Sequence, residues 1–275
     1  MNNTLKIILL LIIGQSVHIS FAHVYVEGYV GGMVGHSKIS SLTTHDTYAI
    51  QDLTAVFDTP SKKLSPSATG GFKIGWWPHH RENVADKNRC TAWWEHFGCS
   101  LDTRFNRLDY AHHAYSTDVL YSRDSVEAMG ETDIYLSSKG PSVTLAFLLA
   151  FRYGFCATDK IPFGRLQAYV GFGPAGLFLR QQTRLVVSPH EVDGSNLAVF
   201  LKNTYTIAPV RTHYKSAPCL AFDTGMRFLT TRHIFLDCFF NYRYAPLRIS
   251  YASPQLSMKL HYHLCSFTMG AGYEF

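Results

Sequence analysis

LHYHLCSFTMGAGYEF, positions 260–275, decides the fold. Read with the two-residue period of a strand, Cys265, Phe267, Met269, Ala271, Tyr273 and Phe275 share one face, and Ser266, Thr268, Gly270, Gly272 and Glu274 share the other. A strand in a soluble sheet turns its apolar face to a core. A strand in a membrane barrel turns that face to lipid and its small polar face to a narrow lumen. The closing aromatic, Phe275, fits the second arrangement.

Working outward, similar alternation recurs near 23–35, 67–77, 92–106, 141–155, 165–179, 215–229 and 231–244. With 259–275 this makes an even number of segments. The first, third and fifth gaps (36–66, 107–140 and 180–214) are long, 245–258 is intermediate, and 78–91, 156–164 and Thr230 are shorter. Long outer loops, short periplasmic turns and both chain ends in the periplasm produce that asymmetry. The expected fold is all-β: a closed antiparallel up-and-down transmembrane β-barrel of eight strands. Apolar runs at 185–187 and 197–201 in the third long gap could extend a hairpin above the membrane, or add a strand pair and make ten. Pro174 has no amide for the ladder, which predicts a bulge or an early end to pairing in the fifth segment.

Parity then sorts the side chains. In the fourth segment Val143, Leu145, Phe147, Leu149, Phe151 and Tyr153 face lipid; in the seventh Ile234, Leu236, Cys238, Phe240, Tyr242 and Tyr244 do. The opposite face collects Glu27, Asp102, Asp223, Asp237 and Glu274 with Lys73, Arg104, Arg152, Arg227 and Arg243, and His96 as a further partner. Five acids interleaved with five bases can satisfy one another in a narrow lumen, where a lone charge would be costly. Eight strands enclose room for side chains only, so these groups are expected to plug the lumen. Trp76, Trp93, Tyr153, Phe155 and Tyr273 fall on outward positions near the periplasmic ends, as one headgroup-level girdle. Parity also turns Glu95 outward, which requires a rim position or a bulge.

Positions 1–22 read as a secretory signal peptide: Lys6, an apolar stretch at 7–13, and Ser20-Phe21-Ala22 before the cut. The barrel domain is then 23–275. Loss of Lys6 lowers the formal net charge of +5 by one, and no charge run offers a nucleic-acid patch. The longest later apolar run, 143–151, is too short for a spanning helix. Charged residues at 16% and aromatics at 14% suit an exterior that meets lipid.

Other chemistry is sparse. Gly171, Gly173 and Gly176 match GxGxxG with Asp193 downstream, but LFLRQQ follows where a dinucleotide site needs a helix, so no cofactor is expected. Cys90 and Cys156, at the periplasmic ends of consecutive segments, are candidates for a disulfide, and Cys238 and Cys265 could meet across the last two. Histidines pair at 79/80, 112/113 and 261/263; only His261 and His263 share a face, and no ligand-spaced partner accompanies them, so no metal is expected. His96, Ser100 and Asp102 share an inward face, with His96 and Ser100 too far apart along the strand for direct proton transfer. No catalytic residue is assigned.

GFKIGWW at 71–77, FGCSLDTRFN at 97–106, LQAYVGFGPAG at 166–176, FLDCFFNYRYA at 235–245 and MGAGYEF at 269–275 give the chain a pattern that resembles the small outer-membrane β-barrel proteins, OmpA-like and OmpX-like. The resemblance implies insertion by the outer-membrane assembly machinery, which reads a terminal strand such as the one ending at Phe275. It also implies residence in the outer membrane of a Gram-negative-type bacterium. The expected partners are membrane lipid and lipopolysaccharide, that machinery, and an extracellular ligand of the loops, with no nucleic acid and a monomeric barrel. The expected role is structural and adhesin-like; a narrow pore is the alternative, followed by a lipid A-modifying enzyme, although the His-x-Ser pattern of lipid A deacylases is absent from the last strand.

Overall fold

The computed structural model describes residues 22–45, 52–55, 62–78, 96–123, 126–156, 164–192, 205–252 and 255–275. The signal-peptide positions 1–21, Cys90, Trp93, Glu95, Asp193 and the run at 197–201 lie outside them. Eight long strands form the wall: β1 (Ala22–His45), β4 (Ser67–Pro78), β5 (Phe97–Arg123), β6 (Val126–Phe155), β7 (Leu166–Val192), β8 (Tyr205–Leu229), β9 (Ile234–Ala252) and β10 (Gln255–Glu274). Two short strands, β2 (Asp52–Ala55) and β3 (Lys62–Lys63), pair with β1 beyond the end of β4, between β1 and β4 in the chain. Each wall strand pairs antiparallel with the next, and β10 returns to β1 from Tyr25↔Glu274 to His45↔Gln255, closing an eight-stranded barrel. Closure matters because lipid offers no partner for an open edge. Among the described residues no helix is long and apolar enough to cross a membrane; the strands do so.

The wall has the inverted faces that the terminal strand implied. Val30, Phe147, Phe240 and Met269 are exposed on the outside, whereas Arg152 and Asp237 are buried within. A β-strand of alternating apolar and polar residues can hold that division only where hydrocarbon lies outside.

Three expectations need correction. The gaps 107–140 and 180–214 are not chiefly loop. β5 and β6 pair from Phe97↔Phe151 out to Arg123↔Val126, and β7 and β8 extend to Val187↔Tyr205. Above the membrane water faces both sides of a hairpin, so the ladder persists while the apolar–polar contrast that marks a strand fades. Leu185 and Val187 therefore lie within β7, and the described wall has eight strands rather than ten.

The segment expected at 231–244 begins at Ile234, because Thr231 Oγ1 accepts from the amides of His233 (3.2 Å) and Ile234 (2.9 Å) and holds a four-residue turn. Of the segment expected at 92–106, positions 92–95 lie outside the described residues, and β5 runs from Phe97. At Pro174, β7 neither bulges nor ends. Its pairing with β6 lapses between Ala146↔Ala175 and Leu149↔Phe172 and resumes in the same register, while Pro174↔Leu220 holds it to β8. Gly173 allows the close approach on the β6 side, since a Cβ there would stand 1.9 Å from the carbonyl oxygen of Phe147.

Candidate functional site

All ten inward charges are buried. Their placement follows from register: Glu27 on β1 lies opposite Lys73 on β4, which lies opposite Asp102 on β5, so acid, base and acid follow one another across three neighbouring strands. Side chains then cross the lumen. Arg243 Nη1 donates to Asp223 Oδ1 at 2.8 Å and its Nη2 to Asp102 Oδ2 at 2.8 Å. Lys73 reaches Asp223 at 3.4 Å and Arg104 reaches Asp102 at 3.6 Å. Arg227 bridges Glu27 at 3.3 Å and Asp237 at 3.5 Å.

Neutral groups complete the shell. Tyr29 donates to Asp102, and Asn241 donates to Asp223. The Tyr169 hydroxyl lies 3.1 and 3.0 Å from the two Asp237 oxygens. Aromatic rings sit under the cations: Phe235 is 3.8 Å from the Arg227 guanidinium, Phe239 4.0 Å from Lys73 Nζ and Trp77 4.4 Å from Arg152. Arg152 also donates to Gln167 at 3.3 Å, near the periplasmic end where Glu274 is buried. Ionic groups are expensive to bury, and this arrangement offsets the cost with opposite charge, hydrogen bonds and ring faces together.

Two inward apolar layers lie beyond the charges, and the sorting by charge alone had passed over them. Toward the periplasm Tyr25, Trp77, Ala150, Leu229 and Phe235 form one buried cluster. Toward the outer mouth Leu108, Leu179, Leu247, Leu260, Tyr262 and Leu264 are buried on the inward face. The signal was present in the parity of these residues. It was masked because an inward aromatic and an outward aromatic look alike in a hydropathy profile.

His96 is not a lumen partner. It occupies a short turn before β5, where strand parity no longer applies, and its ring stacks on outward Tyr153 at 5.8 Å with Nδ1 2.9 Å from the Arg152 carbonyl oxygen. The inward row of His96, Ser100 and Asp102 is therefore broken, since Ser100 and Asp102 are buried within. Tyr153, beside His96, meets Phe155 edge-on at 5.0 Å, and Trp76 and Tyr273 are exposed near the same end of β4 and β10. Phe275 is exposed, with its amide on the Val24 carbonyl at 2.8 Å.

Cys156 is exposed, with a positive φ of 57°. Cys238 lies opposite Met269 and Cys265 opposite Tyr242, so these two thiols are out of register and both are free. Gly171, Gly173 and Gly176 lie inside β7 with no helix after them. His261 and His263 take Tyr244 and Tyr242 as hydrogen-bond partners at 2.8 and 2.7 Å. Among the described residues no three metal-ligating side chains gather.

A closed antiparallel wall that is apolar outside and ionic within defines a transmembrane β-barrel. No protein-family model and no curated protein matches the chain. Among solved structures it is similar to the outer membrane protein OprG from Pseudomonas aeruginosa, at 12% identity over 93% of this chain and 96% of that one, with a TM-score of 0.45. It is also similar to the N-terminal β-barrel domain of Pseudomonas aeruginosa OprF (10% identity, 92% and 97% covered, TM-score 0.35) and to Ail, the attachment invasion locus protein of Yersinia pestis (11%, 93% and 99%, TM-score 0.30).

Proposed function

We propose that this chain is an integral outer-membrane protein with a sealed lumen, which acts as a rigid support for hairpins that contact the cell's surroundings. One observation carries the reading: the ion-pair network lies between two buried apolar layers, Tyr25, Trp77 and Phe235 on one side and Leu108, Leu260 and Tyr262 on the other. A hydrated ion crossing the barrel would have to displace both. The outward extension of β5–β6 and β7–β8 beyond the apolar band supplies the contact surface, in keeping with an adhesin-like role.

The test has two arms. Purified protein in planar bilayers gives no stepwise conductance if the lumen is sealed; discrete steps from the intact chain overturn that part. Cells carrying shortened β5–β6 or β7–β8 hairpins lose binding to host extracts or neighbouring cells, and unchanged binding across both variants removes the contact role. A narrow pore is the second reading. It is favoured by Glu27 Oε1, Arg227 Nε, Arg227 Nη1 and Arg243 Nε, buried lumen atoms without a hydrogen-bond partner in the protein.

A further inference from the structure

On the lipid-facing side, near the outer end of the apolar band, a groove of about 410 Å³ crosses β6, β7 and β8. Its floor is apolar: Pro141, Val143 and Phe178, with Ser216 as the small residue opposite Phe178. Its upper lip carries Arg180, and exposed Lys139 follows Pro141 on the outward face of β6. Arg180 lies over the ring of Tyr214, which is 71% exposed.

The sequence explains the gap. Pro141 has no amide, and the β6–β7 pairing lapses between Lys139↔Gln182 and Ser142↔Leu179. The amide of Gly140 turns instead to Asp109 Oδ1 at 3.2 Å.

The height of the groove matters as much as its lining. Below it the outward residues of β7, Val170, Phe172 and Phe178, are exposed and apolar. At its lip the barrel changes to exposed cations, with Lys38, Lys63, Arg107, Arg248 and Lys259 on other strands. Among the described residues Asp109 is the one carboxylate at this height, and Arg107 holds it at 2.7 Å. A groove whose lower part is greasy and whose lip is positive matches an amphiphile with acyl chains below and an anionic head above. Two cations at the lip, Arg180 and Lys139, suit a phosphomonoester dianion better than a phosphodiester.

We propose that this groove is a binding site for a phosphate-bearing glycolipid of the outer leaflet, with an acyl chain along Val143 and Phe178 and the phosphate at Arg180 and Lys139. This rests on the reading that the outward face at this end meets the outer leaflet. It is independent of whether the lumen conducts or the hairpins adhere.

The experiment is native mass spectrometry of the full-length protein in detergent, titrated with diphosphoryl lipid A, with phosphatidylglycerol and with water-soluble glucosamine phosphate. Diphosphoryl lipid A is expected to be retained at least tenfold more strongly than phosphatidylglycerol, and glucosamine phosphate not at all. Arg180→Gln with Lys139→Gln should erase the preference for lipid A, and Phe178→Ala should weaken retention of both lipids. Arg232→Gln, at the periplasmic turn, should change neither. Heat-modified gel migration shows that each variant is folded; if one is not, Arg180→Lys, which keeps the charge, and Arg180→Gln alone take its place. Equal retention of the two lipids, or a preference untouched by Arg180→Gln with Lys139→Gln, overturns the proposal. Neither result bears on conductance or on cell binding, so its failure is distinct from failure of the functional reading.

Discussion

Arg227 on β8 and Glu27 on β1 meet at 3.3 Å across the lumen, although their strands share no ladder. The pair ties together parts of the wall that backbone hydrogen bonds do not join directly. Removing one partner of a buried pair costs about 3–5 kcal/mol when the other charge is left uncompensated; Arg227 keeps Asp237 at 3.5 Å, so the loss here is smaller. Glu27→Gln should lower the stability of the folded barrel by about 1–3 kcal/mol, read as a shift in the urea midpoint followed by tryptophan fluorescence.

Arg243 has the denser role, holding Asp223 and Asp102 at 2.8 Å each. Arg243→Met leaves two carboxylates short of a cation and should destabilise more than Glu27→Gln. A double-mutant cycle with Asp223→Asn should show coupling of about 0.5–3 kcal/mol, since contacting charges in one network are not additive. Additive losses would show that these two residues do not act together.

Outward positions should respond by depth. Phe240 is 41% exposed in the middle of the outward row of β9, so Phe240→Arg should cost about 2–4 kcal/mol. Tyr244, nearer the outer end of the same row, should tolerate Tyr244→Arg at about 0–1 kcal/mol. Equilibrium unfolding from lipid vesicles distinguishes the two.

Two glycines on the wall should also differ. A Cβ on Gly173 would meet the Phe147 carbonyl oxygen at 1.9 Å, and backbone cannot yield as a flexible side chain can. Gly28 faces open space with nothing within 4 Å. Gly173→Ala should lose about 1–3 kcal/mol by overpacking, or slow assembly visibly on heat-modified gels, while Gly28→Ala leaves both unchanged.

Much of this wall could be read from alternation, because where a strand has lipid on one side and ions on the other its period is written in side-chain chemistry. Val143 to Tyr153 against Ser142 to Arg152 is such a case. The reading weakened wherever that contrast ended. Asp109 and Lys139 sit opposite each other in a ladder that continues above the membrane, and two polar residues in register look like loop. His96 fails for a different reason: parity counts only along a strand, and a single turn before Phe97 rotates its ring to the outside. The start of β9 depended on one hydroxyl, that of Thr231, which composition does not weigh. Partner choice within the lumen was hidden too, because parity places Glu27 inside without saying that Arg227, 200 residues away, would reach it.

The central claim is that the apolar face of the wall looks outward to hydrocarbon and the ionic face looks inward. Spin labels attached through Phe147→Cys, Phe240→Cys and Asn241→Cys, in a background with the native cysteines replaced, test it by collision with oxygen dissolved in lipid. Labels at 147 and 240 should be strongly accessible to oxygen and shielded from a water-soluble nickel chelate, and the label at 241 should be shielded from oxygen. Oxygen access at 241 together with shielding at 147 and 240 would contradict it.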